Sequence, residues 1–113
     1  MHTVIGSLRL AWRLGDAGMA EIRRLRMALL ERHRRTGEIL AAAKLLRNVN
    51  FDTLLQQNHI SAGEASRCID LFMRWELVIA AEEWSHDQGW LAPENPKEAL
   101  SRITRWKRSH KIN

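Results

Sequence analysis

The sequence predicts a mostly α-helical single domain: a helix, a tight turn and a second helix, followed by a small β-hairpin and flanked by additional N- and C-terminal helices. Three observations carry this. Apolar residues recur at helical spacing along Ala65, Cys68, Ile69, Leu71, Phe72 and Trp75. Asn58 and Ser61 supply stop and start signals just before that stretch. After Trp75 the pattern changes to a short β-branched run, Leu77-Val78-Ile79, then to the turn-like Ser85-His86-Asp87-Gln88-Gly89 and a return through Trp90 and Leu91.

Taken in order, residues 3–14 fit two patterns. Leu8, Leu10, Trp12 and Leu14 alternate with Arg9 and Arg13 as in a strand, while Ile5, Leu8 and Trp12 share one helix face; helix is preferred. Residues 15–18, Gly-Asp-Ala-Gly, punctuate the chain, and Asp16 is a suitable N-cap for the next helix. Residues 17–47 contain no proline and are rich in strong helix formers. Ile22, Leu25, Leu29, Ile39, Leu40, Ala43 and Leu46 trace an apolar stripe, with Arg23, Arg24, Arg26, Arg32, Arg34 and Arg35 mostly off it. Glycine inside a helix costs about 1 kcal/mol relative to alanine, so a kink or break is expected at Thr36-Gly37. That divides residues 1–113 into an N-terminal arm (1–36), a core unit (38–92) and a C-terminal helix (96–110).

In the core unit, Arg47–Asn50 is a polar connection into a helix beginning at Phe51. Asn58 tolerates the left-handed conformation of a sharp helix stop. Ser61 and Glu64 form a capping box: the hydroxyl caps the third residue on, and the carboxylate reaches back to the N–H of Ser61. Beyond the hairpin, Asn95 as N-cap, Pro96 at the first helical position and Glu98 at the third start a last helix. Its face is Ala99, Leu100, Ile103 and Trp106, and Arg102, Arg105, Lys107 and Arg108 crowd the rest.

Several classes are excluded or disfavoured. The chain of 113 residues has no apolar run near the ~20 residues that span a bilayer, so no membrane partner is expected. The start lacks a secretory pattern. The single cysteine permits no internal disulfide and fits a reducing, cytoplasmic setting, with Cys68 on an apolar face as a packing thiol. His2, His33, His59, His86 and His110 are scattered without metal-ligand spacing. No phosphate loop or nucleophile–base arrangement is present. No catalytic residue, metal or cofactor is therefore expected.

The charge is +5 overall, but unevenly placed. Residues 1–47 carry ten basic and four acidic side chains, residues 48–96 two and eight, and residues 97–113 six and one. A DNA-binding role requires the basic flanks to fold back beside the acidic centre, because phosphate neutralisation dominates duplex binding.

The order of elements over residues 51–92 resembles the winged helix-turn-helix of MarR-like and ArsR-like regulators. The residues that carry the likeness are Phe51 and Leu54-Leu55, then Ile60-Ser61, then Ala65-Ser66-Arg67, Ile69 and Leu71, and the exit Arg74-Trp75-Glu76-Leu77-Val78. Glu76 stands where the family usually has glycine, and the hairpin tip lacks the family's arginine or lysine. The resemblance implies a sequence-specific, duplex-DNA-binding transcriptional regulator, dimeric through its terminal helices. On that basis Ser61, Ser66, Arg67, Arg74, Arg102, Arg105, Lys107 and Arg108 are the candidate DNA-binding residues. Arg67 would pair with guanine, and the N-terminal end of its helix with Ser61 would hold a phosphate. Ile22, Leu25, Leu29, Leu100, Ile103 and Trp106 are the expected homodimer interface. The alternative is a winged-helix interaction or inhibitor protein of phage or plasmid type, whose acidic centre docks on a basic partner or a nucleic-acid machine rather than on DNA.

Overall fold

The computed structural model describes the backbone of residues 2–110 and the side chains of residues 15–110. Among the described residues five helices succeed one another in order: α1 (His2–Lys44), α2 (Phe51–Gln57), α3 (Ala62–Met73), α4 (Trp75–Asp87) and α5 (Pro96–Ser109). Among the described residues there is no strand. None of the helices described is long and apolar enough to cross a membrane.

Two glycines in α1 behave differently. Gly15 has φ 64° and ψ −164°, which interrupts the helix at the expected punctuation; only glycine adopts that conformation without strain. The expected break at Thr36-Gly37 is absent, and the helix runs straight through. Gly37 is buried because α3 crosses there: a Cβ on it would lie 1.9 Å from the carbonyl oxygen of Cys68. The missing side chain lets the two backbones touch, and the packing gained outweighs the propensity cost. The helical face of residues 2–14 falls outside the residues whose side chains are described.

Helix α3 is central and divides the core in two. Leu30, Leu71, Val78, Ala81, Ala99 and Ile103 form one cluster, joined by Met27, Trp75, Leu77, Leu100 and Trp106. Leu40, Leu55 and Ala65 form the other, with Phe51, Ile60 and Ile69 against it. The core-facing line of α1 is thus Met27, Leu30, Gly37 and Leu40. Most of the stripe read from the sequence lies elsewhere: Leu25 and Leu29 are about half exposed, and Ile39 is 67% exposed.

The expected β-hairpin wing is not present; residues 75–87 are α4. Its buried face is Val78, Ala81, Glu82 and Ser85, a helical period in which two members are polar. Both polar members are satisfied. Arg23 clasps the Glu82 carboxylate with two hydrogen bonds, Nε to Oε1 at 2.8 Å and Nη2 to Oε2 at 2.7 Å. Arg102 Nη1 donates to Ser85 Oγ at 3.1 Å. The expected hairpin tip is the cap of α4. Gly89 has φ 84°, the Gly89 N–H donates to the His86 carbonyl, and the Trp90 N–H donates to the Ser85 carbonyl, both at 2.9 Å. That is a Schellman ending, with glycine in the left-handed position.

Candidate nucleic-acid interface

Residues 51–73 form a helix, a four-residue turn and a helix. The Asn50 side chain accepts from the Thr53 N–H at 3.1 Å and starts α2. The stop is again a Schellman ending, but its left-handed residue is His59 (φ 56°), not Asn58. The His59 N–H donates to the Gln56 carbonyl at 3.2 Å and the Ile60 N–H to the Leu55 carbonyl at 2.9 Å. Asn58 instead donates from Nδ2 to the Leu54 carbonyl at 2.8 Å. Half of the expected capping box forms: Ser61 Oγ accepts from the Glu64 N–H at 3.1 Å. The Glu64 carboxylate turns to the Ser61 hydroxyl at 3.1 Å, without a bond to its N–H.

The N-terminal half of α3 is open on one side. Ser61, Ala62, Gly63, Glu64 and Ser66 are exposed, whereas Ala65 and Cys68 are buried against the body of the protein. Arg67 is half-buried, and its guanidinium folds back over Gly63, with Nη1 3.3 Å from where a Cβ would stand. Beside it lies a cavity of about 330 Å³ lined by His33 of α1, Glu64, Arg67 and Cys68 of α3, and Asn95, Pro96 and Lys97 at the start of α5. The capped N-termini of two helices and two cationic side chains, Arg67 and Lys97, therefore meet at one place. Such ends carry partial positive charge, which suits anionic oxygen, although each first turn here holds a glutamate, Glu64 or Glu98, and Glu64 lines the cavity. Lys97 and His33 were absent from the sequence-derived site. Lys97 had a signal in its place at the start of a basic helix, but nothing local in the chain brings it to Arg67.

The other expected DNA contacts separate. Arg102 has a side chain only 9% exposed and is structural. It joins Ser85 to Glu98, with Nη2 donating to Glu98 Oε1 at 3.0 Å. Burial pushes its pKa down, and the Glu98 carboxylate acts in the opposite direction. It is not available to phosphate. Arg105 is exposed, with its guanidinium carbon 5.6 Å from the ring centroid of Trp90. Arg108 is exposed, Lys107 is half-buried, and Arg74 is half-buried at the α3–α4 junction.

The expected dimer face also divides. Ile103 is fully buried in the chain's own core, and Leu100 and Trp106 pack against that core. These three serve the monomer, because α4 folds as a helix and needs α5 as its cover. Ile22, Leu25 and Leu29 remain on the outward side of α1.

The basic flanks are partly neutralised within the chain. Arg26 donates to the Ala92 carbonyl at 2.9 Å and to Glu94 at 3.1 Å. Arg24 pairs with Glu21 and Arg34 with Glu31; the Arg34 guanidinium also sits 5.3 Å from the Trp75 ring centroid. Cys68 Sγ lies 3.9 Å from His33 Nδ1, and burial raises the thiol's pKa. It remains protonated near neutrality. Among the described residues no group of three or more histidine, cysteine, aspartate or glutamate side chains is placed to hold a metal ion.

No family model matches this chain, and no curated protein or solved structure does either.

Proposed function

We propose that the chain is a cytoplasmic, sequence-specific duplex-DNA-binding transcriptional regulator, acting as a homodimer and presenting the N-terminal half of α3 to the major groove. The observation that carries this is the meeting of Arg67 and Lys97 beside the exposed start of a capped helix that comes after a tight helix–turn. Ser66 and Arg67 are the base-reading side chains, and Ser61, Lys97 and the two helix N-termini hold the phosphates that set register. With the wing gone, Arg105 and Arg108 are the remaining exposed cations of α5 that add to the phosphate contacts.

Fluorescence anisotropy with a pool of random duplexes, and then selection of bound sequences, tests the proposal. Affinity falls steeply with salt, with a log–log slope of roughly −0.9 per phosphate neutralised. Arg67→Ala costs about 1–3 kcal/mol and relaxes preference at one base pair, whereas Lys97→Ala weakens all duplexes alike and lowers the slope by about 1. Absence of binding to any duplex at low salt sinks the proposal.

One observation favours the rival, a protein-interaction or inhibitor role. Arg23, Arg24, Arg26, Arg34 and Arg102 are each paired with a glutamate of the same chain, which offsets much of the basic charge of the flanks. That role requires a protein partner in a pull-down and no duplex shift.

A further inference from the structure

Along the outward side of α1, positions 22, 25, 29, 32, 36, 39, 43 and 46 advance in alternating steps of three and four. They are Ile22, Leu25, Leu29, Arg32, Thr36, Ile39, Ala43 and Leu46, the last lying two residues beyond the end of α1 with its N–H bonded to the Ala43 carbonyl at 3.1 Å. Such spacing is a coiled-coil seam. The seam flanks the line Met27, Leu30, Gly37 and Leu40 that faces the core, and adjoins it where Leu40 stands four residues from Thr36 and three from Ala43, both half-buried. Leu25 is 51% exposed, Leu29 48%, Ile39 67% and Leu46 54%, and Arg32 is exposed. A line of large apolar side chains at this spacing is far more than scattered surface residues require.

The order of residues along the seam identifies its occupant. Apolar residues fill both ends and two polar residues fill the middle. We propose that this seam pairs with the same seam of a second copy of the chain, antiparallel, about a two-fold axis near residue 34. In that register each layer joins positions whose numbers sum to 68. Ile22 meets Leu46 of the partner subunit, Leu25 meets Ala43 of the partner subunit, and Leu29 meets Ile39 of the partner subunit. Arg32 meets Thr36 of the partner subunit, so polar groups face polar groups at the centre and apolar groups face each other on both sides. Polar residues at seam positions fix register in this way, and the pairing is reciprocal, as a two-fold interface requires.

The competing arrangements are worse. A parallel pair sets Arg32 against its own copy in the middle of the seam. A slip of one heptad in either direction buries Arg32 against leucine or alanine and leaves Thr36 facing leucine or isoleucine. The electrostatic costs of the chosen register are Arg32, which stands one layer from its own copy in the seam, and Arg35, exposed beside the seam, which approaches its copy across the axis.

The dimeric part of the proposed function gains a specific geometry here, but nothing in the pairing depends on DNA. Light scattering after size exclusion gives twice the 13.1 kDa chain mass. Ile39→Asp halves that mass with helix content unchanged, since Ile39 supports no part of the protomer's core, and Arg35→Gln tightens the dimer. In a Cys68→Ala background, Leu29→Cys combined with Ile39→Cys forms an intermolecular disulfide on mild oxidation, and Leu29→Cys alone does not. A chain that is monomeric at all concentrations overturns the proposal, as does a dimer indifferent to Ile39→Asp. So does crosslinking by Leu29→Cys alone, which marks a parallel pair. A monomer that still binds duplex DNA separates failure of this pairing from failure of the DNA-binding proposal.

Discussion

The two sides of α1 both carry apolar residues but do different work. On the inner side the helix touches α3 so closely that position 37 holds no side chain, and Leu30 and Leu40 anchor the two core clusters. On the outer side Leu25, Leu29 and Ile39 stand in solvent. The inner line folds the protomer, and the outer line is what the protomer presents. Apolar content alone does not distinguish them, whereas the position of the crossing helix does.

The largest expected effect breaks the inner side. By helix propensity Gly37→Ala stabilises α1 by about 1 kcal/mol. By contact it forces two backbones apart, and overpacking of this kind costs about 3 kcal/mol or more. Urea denaturation is expected to show the loss. A gain would mean that α1 and α3 are not in contact at Gly37 and Cys68.

The clasp between α1 and α4 gives an effect of the same order. Glu82 is 3% exposed, and Arg23→Met leaves its carboxylate buried without a cationic partner, which costs roughly 3–5 kcal/mol. The Arg23 guanidinium is held charged more firmly than usual, chiefly by its hydrogen bonds to Glu82. Thermal melts of Arg23→Met and of the double variant Arg23→Met/Glu82→Met sharpen the point. The double variant is expected to recover much of the loss, because it buries no unpaired charge.

Arg102→Ala is expected to cost about 2 kcal/mol of stability, in keeping with hydrogen bonds made by a charged group. It leaves duplex affinity unchanged under conditions where both proteins are folded. Loss of DNA affinity without loss of stability would return Arg102 to the interface.

The smallest effect is a slope with pH. Burial raises the Cys68 pKa in the folded chain above its unfolded value, which is about 8.5. A group raised in this way contributes stability below the unfolded value, and the contribution disappears as pH climbs through the folded one. Stability measured by urea therefore declines above about pH 8.5 more steeply in the native chain than in Cys68→Ala. Equal slopes would place the thiol in contact with water.

Much of the helical framework was legible in the sequence. The stop after Gln57, the Ser61 cap, the Asn95-Pro96 start and the break at Gly15 all arise from local chemistry, which acts over a few residues. The two failures in assigning helix and strand have one cause. Gly37 resembles a helix break until α3 is set against it. Leu77-Val78-Ile79 with Gly89 beyond it resembles a hairpin because the helical face of α4 is completed by Glu82 and Ser85. Those residues count as apolar-face members only once Arg23 and Arg102 are seen to satisfy them. The partners lie 59 and 17 positions away, beyond any window of local periodicity. Arg67 was visible as a candidate site residue for the same reason that Lys97 was not: one lies on the helix that defines the site, and the other reaches it only through the packing of α5.

Amide chemical-shift mapping of the labelled protein during titration with a selected duplex tests most directly that α3 and the start of α5 form one nucleic-acid surface. The expected result is perturbation concentrated at Ser61–Arg67 and at Lys97, with the outer stripe of α1 unmoved. Perturbation confined to that stripe, or to the Arg105–Arg108 end of α5 with α3 silent, would contradict it.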